Sequence, residues 1–247
     1  MKSLFVILIV LLTAVGPVAA NPDSIRREAT DSVRFTPGQL IVPGALITVG
    51  ALGVGVKPLR QARIWVNNEI GVHNCSPADD IIRYLPLAGY LTLDFAGVRA
   101  RRPFMDRLVA GATGAIIATA LCGGLKLCVN ESRPGGAGRS SFPSGHTTTA
   151  FLGAELLRLD YGPLVGAGGY LAASTVGAMR ILNGRHWLND VLAGAGIGIL
   201  SARAALWLLP FNRRWLGLNR RRGEAAVVVP AFSPADGSAM MTVALIL

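Results

Sequence analysis

Residues Leu108–Leu125 read "LVAGATGAIIATALCGGL", without one charged side chain. Membrane spans need roughly 20 mostly apolar residues. This run therefore has close to the length and the character of a bilayer-crossing segment. A helix is the only open-ended structure that satisfies its own backbone groups in lipid. Its Gly and Ala content also suits helices that approach closely without a hydrophobic drive between them. Working outward, Leu40–Val56 is apolar and Gly-rich with Pro43, and Ile81–Val98 is interrupted by Arg83, Pro86 and Asp94. Thr147–Leu157 is short and holds Glu155, Gly162–Met179 is unbroken, and Val191–Leu209 is broken only by Arg203, which can snorkel. All of these runs read as helical. The expectation is an all-α, multi-helix bundle, integral to a membrane, with five to six apolar helices. A compact, secreted, all-helical bundle is the alternative.

Composition supports the membrane reading. The 247 residues are 51% hydrophobic and 15% charged, against about 25% charged in an ordinary soluble domain. The first twenty residues, with one Lys, an apolar core Leu4–Val15 and "VAA" before Asn21, match a signal peptide (1–20) cleaved after Ala20. An uncleaved anchor is the alternative. Residues 21–39 form an exposed polar segment, 40–210 the helical domain, and 211–247 a basic segment and tail. The tail, "AAVVVPAFSPADGSAMMTVALIL", reads as two short strands about a turn.

The net charge is +10. There is no aromatic-interleaved basic patch, so no nucleic-acid partner is expected. Anionic lipids and anionic substrates fit better. Arg99, Arg101, Arg102 and Arg107 in one loop, and Arg213, Arg214, Arg220, Arg221 and Arg222 in the tail, should lie on the cytoplasmic side. Loops 130–146 and 180–190 then share the outer side. A cleaved leader agrees with this only if one early run, 40–56, does not cross. Cys75, Cys122 and Cys128 form no disulfide framework or metal spacing and read as small buried hydrophobes. His73 reads as a loop histidine.

Three stretches carry candidate chemistry. In "SFPSGHTTTA", Ser144 is a good N-cap residue, Gly145 permits close backbone approach, and His146 stands at a helix N-terminus, where backbone N–H groups favour anions. Taken alone, it is equally a cap with a surface histidine. Upstream, Lys126 and Arg133 are seven apart. On a helix continuing to Pro134 they share a face, and they make either an anion pocket or a pair of interfacial cations. Downstream, "MRILNGRHWLNDVLAG" has the Asn183-Gly184 turn signal, and a helix is expected from near His186. Asp190 would then lie over His186, orienting the ring and leaving its other nitrogen nucleophilic. A structural His–Asp pair is the plainer alternative.

Taken together, Lys126-x6-Arg133-Pro134, Pro143-Ser144-Gly145-His146 and Arg180-x5-His186-x3-Asp190 resemble the three-part signature of the type 2 phosphatidic acid phosphatase (PAP2) superfamily. The resemblance covers roughly residues 108–205. It departs where the family usually has Ser before the third-motif Arg and this chain has Met179. The resemblance implies that His186 attacks phosphorus to form a phosphohistidine, Asp190 orients it, and His146 protonates the leaving oxygen. Lys126, Arg133, Ser144, the Gly145 amide and Arg180 would hold the phosphoryl oxygens. It implies no cofactor and no metal. The implied substrate is a membrane lipid phosphate of phosphatidate, prenyl or lipid A type, met at a periplasm-facing site in a bacterial envelope. A soluble periplasmic acid phosphatase, a vanadate-dependent haloperoxidase and a non-enzymatic scaffold remain alternatives. Nothing in the sequence speaks to oligomeric state.

Overall fold

The computed structural model describes residues 34–71, 77–136, 138–218, 225–232 and 239–246, the last two as backbone only. The 1–20 leader, most of the 21–39 segment, Cys75 and His73 lie outside the described residues. The chain divides into two compact units, up to Pro210 and from Phe211 on.

Within the first unit, a 3-10 turn (Pro37–Leu40) leads into α1 (Ile41–Gly55), followed by α2 (Lys57–Ile70), the one-turn α3 (Asp79–Ile82) and α4 (Leu85–Thr92). Then come α5 (Phe104–Val129), α6 (Gly145–Tyr161), α7 (Pro163–Leu182) and α8 (Leu188–Trp215), whose last residues enter the second unit. Helices therefore dominate the described residues, as the apolar runs imply, and three of the described helices are long and apolar enough to cross a membrane: Pro37–Gly55, Phe104–Val129 and Leu188–Trp215. In the second unit, strands β1 (Ala225–Phe232) and β2 (Ala239–Ile246) pair antiparallel, Ala225 opposite Ile246.

Two boundaries differ from the sequence expectation. The run 81–98 is two short helices and a turn, because Pro86 occupies the first turn of a new helix rather than the middle of an old one. α5 ends at Val129 with Asn130 left-handed at φ 47°, so Pro134 does not stop it and Arg133 is a loop residue. Run 40–56 falls on the end of the 3-10 turn and on α1, which lies along α8. At one end Arg203 and Trp207 donate to Gln39 (2.9 and 3.0 Å). At the other, Asn189 Nδ2 donates to Gly50 O (3.3 Å). Only small residues allow that approach: a Cβ on Gly53 would stand 2.6 Å from the Asn189 Cβ.

α8 forms the centre. With α6 and α7 it builds one core from Phe151, Tyr170, Val176, Ile181, Val191 and Ile199. With α4, α5 and α6 it builds a second from Tyr90, Leu152, Leu156, Ala202 and Leu206. Burying each large side chain contributes about 1.5–3 kcal/mol. α6 and α8 nearly touch along Gly194 and Gly198, where a Cβ would meet Ser144 O at 2.6 Å and Thr148 O at 2.5 Å. This contact sets the height of the Pro-Ser-Gly-His segment against the His186–Asp190 segment.

The charged residues inside the bundle are paired. Glu155, fully buried, accepts from Arg158 (2.8 Å), Tyr170 (2.7 Å) and Arg203 (2.9 Å). Arg203 therefore turns inward instead of snorkelling. At the opposite end from the three motifs, Arg102 pairs with Asp160 (2.8 Å), and Arg107, fully buried, pairs with Asp94 (2.9 Å) and contacts Tyr161. These two arginines hold helix ends together as well as carrying charge. Cys122 is buried, with Sγ 3.2 Å from Thr148 Oγ1, but Cys128 is exposed, contrary to its expected burial.

Candidate active site

One end of the bundle gathers the C-termini of α1, α5 and α7 and the N-termini of α6 and α8, and this is where the three motifs meet. Lys126, in the last turn of α5, donates from Nζ to Ser140 O (2.6 Å), and Arg133 Nη2 reaches Ser140 Oγ (3.5 Å). Both cations therefore converge on the strip before Pro143, although the helix that was to align them has already ended. Gly135 N donates to Gly184 O (3.0 Å) and Trp187 Nε1 to Ser132 O (2.8 Å), tying the first motif to the third. Ser144 N donates to Asp190 O (3.0 Å), tying the second to the third.

Ser144 occupies the N-cap position of α6 in extended conformation. Its side chain is fully buried and its Oγ accepts from Thr147 Oγ1 (2.9 Å). A Cβ on Gly145 would meet nothing within 4 Å, so the first turn of α6 is uncrowded on that side. Backbone N–H groups of a helix's first turn have no intrahelical acceptor and favour anions.

His186 precedes α8 rather than starting it. Its backbone N donates to Arg180 O (3.2 Å), which sets the ring beside the last turn of α7. The ring is 2% exposed, and its Nδ1 is 3.5 Å from Asp190 Oδ2, an ion-pair distance rather than a tight hydrogen bond. Burial lowers the pKa of this imidazole, outweighing the opposing pull of Asp190, so its bare nitrogen is available near neutral pH. Asp190 is itself tightly held. Oδ2 accepts from Ser141 Oγ (2.5 Å) and Trp187 N (2.9 Å), and Oδ1 from Asn189 Nδ2 (3.2 Å). Asn189 in turn accepts from Arg63 (3.3 Å), which pairs with Glu131 (2.5 Å) and lies over the Trp187 ring.

His146 faces the same end from α6, alongside two acids the sequence reading passed over. Asp80 Oδ1 lies 2.5 Å from His146 Nε2, and Arg83 Nη1 lies 3.2 Å from its Nδ1. Asp79, 1% exposed, accepts from Arg180 Nη1 (2.6 Å), and Asp80 is 3.9 Å from the same nitrogen. Through these carboxylates His146 and Arg180 are neighbours. Burial takes the His146 pKa down to about 4, with Arg180 and Arg83 also lowering it and the hydrogen bond to Asp80 raising it. That bond to His146 holds the Asp80 carboxyl below its ordinary value. Asp79, Asp80 and His146 put potential ligand atoms within 4.8 Å of one another. Asp79 is already committed to Arg180 and Asn183 (3.4 Å), so the cluster is read as ion pairs. A chain with only 14 acidic residues that places "ADD" three positions before an Arg offered a signal for it.

The buried atoms at this end without a hydrogen-bond partner among the described residues include Arg133 Nε and Arg180 Nε, with Arg63 Nε and His186 Nδ1. Buried polar groups are nearly always satisfied, and unpaired N–H groups on two guanidiniums beside an uncrowded helix N-terminus suit an oxyanion. All eight residues singled out in the sequence thus lie on the segments gathered at this end.

Comparison with known proteins finds similarity to phosphatases. Over 134 residues the chain is 37% identical to a lipid A 1-phosphatase of Porphyromonas gingivalis. The aligned part is 53% of this chain and 30% of that relative, so the chain spans less than a third of that protein's length. Among solved structures, the transmembrane PAP2-type phosphatidylglycerolphosphate phosphatase of Bacillus subtilis is 20% identical, with 90% of this chain and 97% of that one covered. Its TM-score is 0.36, a likeness too loose to bear on the fold. The PAP2 superfamily matches residues 107–214, the stretch that contains Lys126, Arg133, the Pro-Ser-Gly-His run, Arg180, His186 and Asp190. That segment of the chain is similar to the PAP2 superfamily.

Proposed function

We propose that the chain is a membrane-embedded phosphatase that hydrolyses a lipid phosphate through a phosphohistidine. The unpartnered Arg133 and Arg180 nitrogens beside the His186–Asp190 pair carry this reading. The phosphoryl oxygens lie against Lys126, Arg133, Arg180, the Ser144 position and the Gly145 amide. The bare His186 nitrogen attacks phosphorus, its Nδ1–H facing Asp190. As the N–P bond forms, the P–O bond breaks and His146 gives a proton to the leaving oxygen. Water, losing a proton to His146, then displaces His186 and releases phosphate. Each well-aimed donor lowers the barrier by roughly 3 kcal/mol, and general acid help contributes about 10²–10⁴-fold.

Cations gathered at the end of an apolar helical bundle suit an amphiphile, with the headgroup on the cations and the tails in lipid. The relative named above acts on lipid A, which makes a lipid A-type phosphate one substrate class to test beside phosphatidate and prenyl phosphates. The end away from the site carries Arg99, Arg101 and Arg102. The preference for cytoplasmic positive charge therefore turns the site toward the periplasm. The same orientation leaves Arg34 on the cytoplasmic side, opposite to what cleavage after Ala20 would produce.

Purified protein assayed against that panel, with His186→Ala as control, tests the reaction. The variant should insert and fold yet release no phosphate, and unchanged turnover would refute the mechanism. Orientation is tested on Cys128, exposed at the site end of α5, in a Cys75→Ser background. A membrane-impermeant maleimide should label it in intact spheroplasts, and labelling only after lysis reverses the assignment.

A further inference from the structure

We propose that Asp80 is a positioning residue for His146: it fixes the tautomer of the ring and supplies the counter-charge that lets the ring act as an acid. The proposal rests on the phosphatase reading above. Arg83 has only donors, so the His146 Nδ1 it touches at 3.2 Å is the acceptor. The ring proton is therefore on Nε2, where Asp80 receives it at 2.5 Å. Nε2 is then the nitrogen that can meet a leaving oxygen, since the Arg83 guanidinium covers the other.

The charges facing the ring make Asp80 the group that favours protonation. Arg83, just after α3, and Arg180, on α7, both oppose a cationic imidazole, as does burial. Asp79 is spent on Arg180. The Asp80 carboxylate favours the imidazolium. Its side chain is 58% exposed, so it can yield Nε2 to the substrate. The Nδ1 contact with Arg83 belongs to the resting, neutral ring; in the chemical step that contact opens, the ring takes a proton on Nδ1, and the imidazolium gives its Nε2 proton to the leaving oxygen as P–O breaks and His186 N–P forms. The ring is left neutral to accept the proton of water in the second half.

The test compares full-length wild type, Asp80→Asn and Asp80→Glu in detergent micelles. One substrate, dioleoyl phosphatidate, has an alkoxide leaving group that needs a proton. The other, p-nitrophenyl phosphate, has a leaving group that does not. Asp80→Asn should lose about 10-fold in kcat on phosphatidate, a part of what a general acid contributes, and under about 3-fold on the aryl ester. Its basic limb in kcat/KM should move about one pH unit toward acid, the low end for removing an adjacent opposite charge. Asp80→Glu should restore most of both. Thermal midpoints of all three should agree within a few degrees. Equal losses on both substrates, or an unmoved basic limb, overturn the proposal. So do faster turnover and tighter orthophosphate inhibition in Asp80→Asn, which would make Asp80 a competitor for the pocket. His186→Ala run in parallel separates the two failures: if it still turns over, the phosphohistidine reading falls, and if it is dead while Asp80→Asn behaves as wild type, only the role of Asp80 falls.

Discussion

Replacing Asp190 by Asn removes one charge and changes one atom, and the structure says which atom suffers. Oδ2 gathers Ser141 Oγ, Trp187 N and the His186 ring, so the amide oxygen should settle there. The new NH2 then points at Asn189 Nδ2, donor against donor. Asn189 cannot flip to relieve this without losing Arg63 on its oxygen and Gly50 O on its nitrogen. One unsatisfied buried contact costs about 1–3 kcal/mol of stability, and the variant should still fold. Catalysis should suffer more. In the proposed mechanism His186 becomes cationic as it takes the phosphoryl group, and a charge 3.5 Å away stabilises it by up to about 5 kcal/mol at an effective dielectric near 20. Because only part of that charge has developed at the transition state, kcat should fall on the order of 10²–10³-fold, each factor of ten being about 1.4 kcal/mol. KM should barely change, since the anion clamps are untouched. Steady-state phosphate release at saturating substrate measures kcat, and circular dichroism checks the fold. A folded Asp190→Asn variant within five-fold of wild type would show that this carboxylate holds the loop and does not serve His186.

Two further outcomes follow from the packing and the buried imidazoles. Gly194→Ala would put a Cβ 2.6 Å from Ser144 O. It should destabilise the protein by about 1–3 kcal/mol, as overpacking does, and lower activity by lifting the Pro-Ser-Gly-His segment; an unchanged thermal midpoint would contradict the α6–α8 contact. His146 titrates near 4 in the fold and near 6.5 unfolded, so between those values the unfolded chain binds more protons. Stability should therefore be full above about pH 6.5 and fall as the pH drops toward 4. His146→Asn should flatten that slope, which a series of thermal melts against pH will show.

Helices and the spacing of the candidate site residues were legible in the chain because both are local. Apolar runs the length of a bilayer, the turn signal at Asn183-Gly184 and the interval between His186 and Asp190 need no knowledge of distant residues. The one local inference that failed in the site, a helix continuing to Pro134, failed because a left-handed Asn130 ends α5 early and a tertiary loop carries Arg133 back to the same place. The surroundings of the two imidazoles were not legible. Asp80 reaches His146 across 66 positions, Asp79 reaches Arg180 across 101, and Ser141 reaches Asp190 across 49. Contacts between residues so far apart leave no periodicity, and an "ADD" triplet looks the same facing water as facing a buried arginine. The sequence alone thus determined the kind of scaffold and which residues are candidates to handle a phosphate. Folding decided which carboxylate restrains which ring, because only the close approach of glycine-faced helices puts those charges within bonding distance.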